Sequence, residues 1–419
     1  MELMEKQGYK QTDLGTIPND WEVILLGDSL LFKNGLNKAS EFFGYGTPII
    51  NYMDVFKNYG IRNKDIVGKV FLNSHEKNNF SARKGDVFFT RTSETQEEIG
   101  TSAVLLEDVK DCVFSGFVLR GRPFNSKIIP EYYQYCLVPN YVRTQIIATS
   151  SYTTRALTNG RYLSKVKIII PKNHKEQKAI ANALSDVDEL ITNLNKLIAK
   201  KSVIKQGAMQ QLLTPPHKGG KRLDGFSGEW EEKKLGDVGE IITGGTPSTN
   251  NKLFWEGNIP WITPTDIGKN KDIKTCERYL TIDGLKSIRK LPKDSLLVTC
   301  IASIGKNAIL RKNGACNQQI NAIIPNETNN VDFLYYLIEI NNNVVKSKAG
   351  ITATLMVSKK VFSEIKFNFP PTLQEQKAIA EILSDMDLEI EQLESKKAKY
   401  QSIKQGMMQE LLTGKTRLI

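Results

Sequence analysis

The stretch EQKAIANALSDVDELITNLNKLIAKKSVIKQGAMQQLLT, which runs from Glu176 to Thr214, returns as EQKAIAEILSDMDLEIEQLESKKAKYQSIKQGMMQELLT from Glu375 to Thr413. Roughly 23 of the 40 aligned residues that begin at Lys175 and Gln374 are identical, and no gap interrupts the alignment. An internal repeat at a fixed spacing indicates a chain that is built from two similar halves.

Each copy predicts a long helix with one apolar stripe, because its apolar residues recur at alternating intervals of four and three. At ~1.5 Å per residue, each helix is on the order of 60 Å long. We expect the two stripes to be buried against each other in an antiparallel coiled coil, since the breaker-rich segment 214–220 can turn the chain back. The stripe residues are Ile180, Leu184, Val187, Ile191 and Leu194 in the first copy, and Ile379, Leu383, Met386, Ile390 and Leu393 in the second.

The charge of the chain is unevenly distributed. The length of 419 residues permits two or three domains, and the net charge is +11. Residues 1–174 carry 22 Lys and Arg against 18 Asp and Glu, and residues 217–372 carry 22 against 16. Residues 175–216 carry 6 against 4, and residues 373–419 carry 7 against 8. Basic domains on a nearly neutral spacer fit a polyanionic partner that is contacted at two places.

Targeting signals and metal-binding spacings do not stand out in the sequence. The charged start from Met1 to Lys10 has no apolar core, and no apolar run approaches the ~18 residues that a membrane span needs. We therefore expect a soluble, cytoplasmic protein. The five cysteines lie far apart without a C-x-x-C pair, so we expect reduced, buried thiols rather than disulfides or a zinc site.

The globular segments are also repeats of each other, although more diverged. Trp21 matches Trp230, and the pair Gly27-Asp28 matches Gly236-Asp237. Short apolar runs bounded by turn residues predict strands at residues 87–89, 166–170, 296–298 and 365–369. Aromatic and aliphatic residues at helical spacing predict helices at 131–138 and 331–341, with their Tyr and Leu clusters in the core.

These patterns predict an α/β (α+β) fold with two globular, β-rich domains. Two long helices that form an antiparallel coiled coil join them, and the halves are related by a pseudo-twofold axis. The predicted boundaries are 1–174 for the first domain, 175–214 for the central helix, 215–224 for a linker, 225–372 for the second domain and 373–419 for the C-terminal helix.

Three runs of the second domain carry a family resemblance, together with the order domain, helix, domain, helix. They are G-G-T-P-S (Gly244–Ser248), W-E-G-N-I-P-W-I-T-P-T-D-I (Trp255–Ile267) and N-Q-Q-I-N-A-I-I-P (Asn317–Pro325). The chain resembles the specificity subunit of type I restriction-modification enzymes. The first domain lacks the first two runs and has other residues between Gly35 and Asn51.

The resemblance implies two target recognition domains, each of which reads one half of a bipartite site on double-stranded DNA. It implies that the helices fix the unread gap and dock two modification subunits, which carry the S-adenosylmethionine site, as well as restriction (translocase) subunits. No cofactor is then bound by this chain itself.

Catalytic motifs are not recognisable in the sequence. The segment Asn368–Pro371 has the letters of a methyltransferase loop in the wrong order, and its Pro pair ends a strand. The segment Gly414–Thr416 lacks the preceding glycine of a phosphate loop and is interpreted as a fraying C-terminus. Glu364-Ile365-Lys366 has the letters of the E-x-K motif of metal-dependent nucleases, but no upstream carboxylate is evidently paired with it. The three histidines lack metal-binding spacing. We expect a chain without its own active site.

Recognition chemistry remains, because Arg, Lys, Asn, Gln and short hydroxyls on loops can read base edges or hold phosphates. The candidates in the first domain are Lys33, Asn34, Lys38, Thr90, Arg91, Thr92, Ser93, Tyr152, Thr154 and Arg155. The candidates in the second domain are Thr243, Gly244, Gly245, Thr246, Ser248, Ser303, Lys306, Gln318, Gln319, Thr352 and Thr354. The exposed helix faces around the L-S-D and K-Q-G segments are candidates for docking other subunits.

Two other classes of function remain open at this point. One is a coiled-coil adaptor whose basic domains bind protein. The other is a single-chain restriction enzyme or methyltransferase, against which the missing cofactor and metal motifs argue.

Overall fold

The computed structural model describes residues 8–152, 154–268, 270–350 and 355–418. The chain forms two compact units, one made of residues 1–194 and 396–419 and the other of residues 195–395. Each unit therefore holds one β-rich domain together with a segment of each long helix.

The first domain contains fifteen strands and five short helices among its described residues. The strands are β1 (Tyr9–Thr12), β2 (Gly15–Pro18), β3 (Trp21–Leu25), β4 (Leu30–Asn34), β5 (Phe43–Ile50), β6 (Gly60–Ile61), β7 (Lys69–Val70), β8 (Val87–Thr90), β9 (Thr92–Ser93), β10 (Ser102–Leu105), β11 (Val113–Phe114), β12 (Val118–Pro123), β13 (Ser151–Tyr152), β14 (Ala156–Leu157) and β15 (Lys167–Pro171). The helices are α1 (Tyr52–Phe56), α2 (Ser74–Asn79), α3 (Pro130–Cys136), α4 (Asn140–Thr149) and α5 (Gly160–Leu163), and the first long helix, α6, spans His174–Leu212.

The second domain repeats this plan with fewer strands. They are β16 (Glu231–Lys234), β17 (Gly239–Thr243), β18 (Trp255–Ile262), β19 (Arg278–Leu280), β20 (Ser295–Thr299), β21 (Asn307–Leu310), β22 (Ala315–Cys316), β23 (Ile320–Pro325) and β24 (Lys366–Phe369). The helices are α7 (Leu235–Val238), α8 (Ile282–Lys286), α9 (Val331–Ile340), α10 (Asn342–Ser347) and α11 (Lys359–Ser363), and the second long helix, α12, spans Leu373–Leu411.

Four strands of the central sheet correspond between the two domains, and the first domain adds β6 at one edge. The first domain has the order β4-β12-β8-β10-β6, and the second has β17-β23-β20-β21. A smaller sheet flanks each one, β11-β5-β7 in the first domain and β19-β18-β22 in the second. The central strand of the first domain, β8, is apolar from Val87 to Phe89, in keeping with the burial of both its faces. Phe89 contributes to one hydrophobic cluster and Phe88 to another.

The predicted strands and helices agree with these bounds. The Tyr and Leu clusters of α3 and α9 are buried, as expected. All five cysteines are free, and all but Cys276 are buried. Among the described residues, no helix is long and apolar enough to cross a bilayer.

The repeated letters E-Q at the start of each long helix have a structural role, because both side chains are buried against a domain. Glu176 accepts a hydrogen bond from Trp21 Nε1 at 3.1 Å, and Glu375 accepts one from Trp230 Nε1 at 3.3 Å. The neighbouring Gln177 accepts the backbone N–H of Ile129 at 3.0 Å. The repeated tryptophans and the repeated helix starts thus bind each other within each unit.

An arginine completes each of these clusters. Arg417 Nη2 lies 2.8 Å from Glu176 Oε2, and Arg222 Nη2 lies 2.7 Å from Glu375 Oε2. We call the two sets, Trp21–Glu176–Arg417 and Trp230–Glu375–Arg222, the tryptophan–glutamate–arginine clusters. The hydrogen bonds that Arg417 donates to Glu176 and then to Asp20 raise the pKa of its guanidinium.

The interpretation of the C-terminus as fraying was wrong. Gly414 is buried, and a Cβ there would lie 2.5 Å from Pro18 Cδ. Arg417 also forms two hydrogen bonds with Asp20, at 3.0 and 2.8 Å. Gly414 and Arg417 therefore pack on the first domain, so this segment is held against the protein.

Within each unit, the paired helix segments run antiparallel. In the first unit, Arg417 pairs with Glu176 and Lys404 pairs with Asp188, so the residue number falls on one segment as it rises on the other. In the second unit, Lys201 pairs with Glu389 and Lys205 with Asp387, in the same sense. The antiparallel direction is confirmed inside each unit, while the coiled-coil packing along the whole seam stays a prediction.

The seam residues are buried to different degrees. Ile180, Leu184, Ile379 and Leu383 are almost fully buried, and they join the hydrophobic clusters of the adjacent domains. Val187 and Leu194 are also buried, whereas Ile191, Met386, Ile390 and Leu393 are half-buried. The first three turns of each helix thus belong to a domain core as well as to the seam.

The L-S-D and K-Q-G segments are partly occupied within the chain. Lys404 is buried, pairs with Asp188 at 2.7 Å and lies 4.1 Å from the ring centre of Tyr59. Lys205 pairs with Asp387 in the corresponding way. These charges are therefore not free for docking, and the exposed neighbours Ser185, Gln206, Asp385 and Gln405 remain as candidates.

Candidate nucleic-acid interface

Loops from three separate stretches of the second domain meet at one edge of its central sheet. Gly245 N donates to Cys316 O at 2.9 Å, which joins the loop after β17 to the turn before β23. Cys300 N donates to Gln319 O at 2.8 Å, which adds the turn after β20. We call residues 243–248, 300–306 and 317–319 the recognition edge of the second domain. Most of its sequence-predicted candidates are brought together here.

A glycine is required where the first loop leaves the sheet. A Cβ on Gly244 would lie 2.2 Å from Asn317 O and 2.3 Å from Cys316 O, so any side chain would force the backbones apart. Gly35 has the same position in the first domain, where a Cβ would lie 2.0 Å from Ser115 O. The first domain thus keeps this loop geometry although it lacks the G-G-T-P-S letters.

The exposed side chains of the recognition edge differ between the domains. Thr246 and Gln318 are exposed, and Thr246 Oγ1 donates to Gln318 Oε1 at 2.6 Å. In the first domain, Leu36 N donates to Phe114 O and Gly116 N donates to Leu36 O, which places residues 35–39 and 115–117 in the corresponding positions. The recognition edge of the first domain therefore comprises residues 34–39, 91–101 and 115–117.

The remaining polar candidates of the second domain lie at the same edge. Ser248 and Lys306 are exposed, whereas Thr243, Ser303 and Gln319 are half-buried. Thr243 Oγ1 donates to Asn321 Oδ1 at 2.7 Å. Burial raises the pKa of the Cys300 thiol to about 11, so this thiol stays protonated at neutral pH.

The threonine that ends the central strand holds the turn behind it. Thr299 Oγ1 accepts Lys306 N at 3.1 Å, and Thr90 Oγ1 accepts Thr101 N at 2.9 Å in the first domain. Thr90 is fully buried, and Ser93 is buried with its hydroxyl 3.2 Å from Glu98 Oε2. Among the first-domain candidates, Thr90 and Ser93 therefore stabilise the turn through buried hydroxyl groups.

Two lysine candidates of the first domain are bound to protein partners. Lys33 donates to Asn79 O at 2.7 Å, and burial, followed by the nearby Arg120, lowers its pKa. Lys38 Nζ lies 2.8 Å from both carboxylate oxygens of Glu76. Their ammonium groups are therefore partly committed within the domain.

A short hairpin lies beside the turn that follows β8. Its strand β13 pairs with β14, and β14 pairs in turn with β9, so that Leu157 lies opposite Thr92. Tyr152, Thr154 and Arg155 are exposed on this hairpin, as is Asn34 on the neighbouring loop, while Arg91 and Thr92 are half-buried. In the second domain, bridges from Met356 to Ile301 and Gly350 indicate the same arrangement. The candidates Thr352 and Thr354 lie outside the described residues.

Sequence reasoning missed three residues that organise the second edge. Trp261 Nε1 donates to Gly245 O at 2.9 Å, and Trp255 Nε1 donates to Ser248 O at 3.2 Å. Their ring centres lie 5.1 Å apart, and the guanidinium carbon of Arg278 lies 3.6 Å from the centre of the Trp255 ring. The W-E-G-N-I-P-W run contains both tryptophans and was the sequence signal that could have pointed to them. It does not contain Arg278, which is brought to the tryptophans by the pairing of β18 with β19.

No group of three or more His, Cys, Asp or Glu side chains that could hold a metal ion occurs among the described residues.

The comparisons with known proteins agree with this geometry. The family model of the type I restriction modification DNA specificity domain matches residues 18–206 and 227–404. The chain belongs to this specificity family. Both matched ranges cover one domain together with most of the long helix that follows it, so the family domain occurs twice.

Curated specificity subunits align with the chain, one over the full length and another over part of it. The chain is 27% identical over 443 residues to the putative type I restriction enzyme MjaX specificity subunit of Methanocaldococcus jannaschii, covering 100% of this chain and 99% of the relative. It is 34% identical over 171 residues to the EcoR124I/EcoR124II specificity subunit of Escherichia coli, covering 38% of this chain and 41% of the relative.

A solved structure supports the fold. The S subunit of a type I restriction-modification system from M. genitalium matches with a TM-score of 0.60 at 16% identity, over 94% of this chain and 96% of that chain. The expectation of an α/β fold with a repeated domain and long helices is thereby confirmed.

Proposed function

We propose that this chain is the non-catalytic DNA sequence-recognition subunit of a type I restriction-modification complex. Each globular domain reads one half of a bipartite site on double-stranded DNA, roughly one helical turn from the other half. The long helices set the unread spacer and dock two modification subunits, which carry S-adenosylmethionine. The restriction subunits join the same complex, which acts in the cytoplasm.

The observation that carries this proposal is the repeated recognition edge. Each domain presents a glycine-anchored loop and a threonine-held turn, and the exposed side chains differ between the two copies. Repeated geometry suits two sites of one polymeric ligand, and different side chains suit two different base sequences.

The proposed DNA contacts are the exposed candidates at these edges. In the second domain we favour Thr246, Ser248, Lys306 and Gln318, and in the first domain we favour the hairpin of Tyr152 to Arg155. Buried candidates such as Thr90 and Ser93 act by holding the loops in place. The segment boundaries stated from the sequence, 1–174, 175–214, 215–224, 225–372 and 373–419, are retained as the proposed functional division.

The test is a map of methylated adenines across a genome. The chain is co-expressed with its modification subunit, and the map is repeated after residues 225–371 are exchanged for the second domain of a relative. We expect one split motif in which only one half changes on exchange. An assembled complex that methylates without a split motif would overturn the proposal and favour the adaptor function.

A further inference from the structure

Arg278 is the residue whose role the fold leaves unexplained. We propose that Arg278 determines specificity in the second domain by reading a guanine with its outward-facing N–H groups. This inference rests on the proposed function, because it assigns one base contact of that domain.

The guanidinium of Arg278 lies over one indole ring and next to a second. Its central carbon lies 3.6 Å from the centre of the Trp255 ring and 5.2 Å from that of Trp261. The two rings are nearly perpendicular, at 83°. Stacking on an aromatic face orients the planar cation in advance, so less side-chain freedom is lost when it binds a base.

The hydrogen-bonding edges of this guanidinium are unused within the described part of the chain. No hydrogen bond or ion pair of its side chain occurs there, and the residue is exposed. The other two arginines between residues 225 and 372 are bonded to the protein. Arg311 lies against three aspartates, and Arg289 donates to Thr243 O at 2.7 Å. Arg278 thus differs from arginines that stabilise the domain.

The position of Arg278 links it to the recognition edge. The same two indoles that carry it donate hydrogen bonds to the carbonyls of Gly245 and Ser248, which flank the exposed Thr246. The indoles therefore fix the loop and the guanidinium relative to each other. Arginine, threonine and glutamine are side-chain types that contact base edges in the major groove, and arginine binds guanine O6 and N7 with two hydrogen bonds.

The first domain lacks this arrangement, which argues against a role in folding. Strands β5 and β7 pair as β18 and β19 do, with a register shift at the same place and with Pro48 in the position of Pro260. Ile49 N donates to Gly68 O, so Gly68 occupies the position of Arg278. Ile49 and Phe43 correspondingly replace the two tryptophans. The fold is thus formed without the cation or its indole rings.

The experiment compares Arg278→Lys and Arg278→Met with the wild-type complex by methylome mapping. Lysine keeps the positive charge but cannot form the two parallel hydrogen bonds, and methionine keeps an apolar contact with the indoles. We expect both variants to relax one guanine position in one half of the motif, with discrimination reduced about tenfold to a hundredfold. The other half stays unchanged.

Controls separate the alternatives. Arg62→Lys, at an exposed arginine of the first domain, should leave the second half unchanged. Competition binding with base-substituted duplexes at several salt concentrations distinguishes base from phosphate contact. A uniform loss of affinity for all sequences, with a salt slope reduced by about one, would overturn base reading.

An unchanged motif in both Arg278 variants would also overturn the inference, while the proposed function would stand. Absence of a split motif in the wild-type complex would instead refute the proposed function. Thermal unfolding of each variant verifies folding, and the lysine variant remains informative if methionine disturbs the loop.

Discussion

Replacing Arg417 by methionine should destabilise the first unit, because the buried carboxylate of Glu176 then loses its cationic partner. Glu176 has no exposed surface, and its partners are Trp21 Nε1 at 3.1 Å and Arg417. Without the arginine, the buried Glu176 carboxylate keeps the neutral Trp21 N–H as its hydrogen-bond donor. Breaking a buried ion pair in this way costs about 3–5 kcal/mol.

For a unit of this size, about 3–5 kcal/mol corresponds to a fall in Tm of roughly 6–20 °C. The assay is differential scanning calorimetry, with urea unfolding as the second measurement. The double variant Glu176→Gln/Arg417→Met should regain most of the lost stability, since no buried charge is left unpaired. Arg222→Met is the matched control in the second unit, where Glu375 would lose its cation in the same manner. The reasoning is refuted if Arg417→Met costs less than about 1 kcal/mol, or if the double variant is no more stable than the single one.

Three further outcomes follow from the structure. Gly414→Ala should destabilise the first unit, because the φ of Gly414 is +70° and a Cβ would meet the ring of Pro18. Gly406→Ala should instead stabilise the helix by about 0.5–1 kcal/mol, because a Cβ there meets open space. Thermal unfolding of the two variants tests this difference. Gly244→Ala should cost about 1–3 kcal/mol by overpacking and should impair recognition of one half-site only, as measured by unfolding and methylome mapping. Burial opposes ionisation of Asp332, but hydrogen bonds from Lys271 and Arg311 prevail and lower its pKa below 3.8. Its contribution to stability is therefore complete above about pH 3.8 and is lost as the pH falls through the lower folded value, and Asp332→Asn should remove this part of the acid dependence of urea unfolding.

The repeat was enough to predict the duplicated domain and helix order, because similar helix segments at a fixed offset carry the same period of apolar residues. The central strands were also predictable, since a run such as Val87–Phe89 has apolar residues on both faces. Arg417 was not predictable as a structural residue. Its partners Asp20 and Glu176 are separated from it by most of the chain, and no local pattern records such a pair.

The sequence suggests recognition candidates by residue type, but it does not give the orientation of their side chains. Exposed Thr246 and buried Thr90 belong to the same class in the sequence, and only their packing separates a side chain that faces solvent from one that holds a turn. Arg278 was overlooked because its role depends on two indoles from a neighbouring strand.

The sequence alone therefore determined the duplicated plan, the long helices, the β-rich domains and the family. These follow from periodicity and repetition, which are properties of neighbouring residues. The tertiary structure alone decided that Arg417 closes the first cluster, that Gly35 and Gly244 occupy equivalent positions, and that Arg278 has unused donors. Each of these depends on atoms brought within a few ångströms from distant parts of the chain, and sequence spacing does not encode that distance.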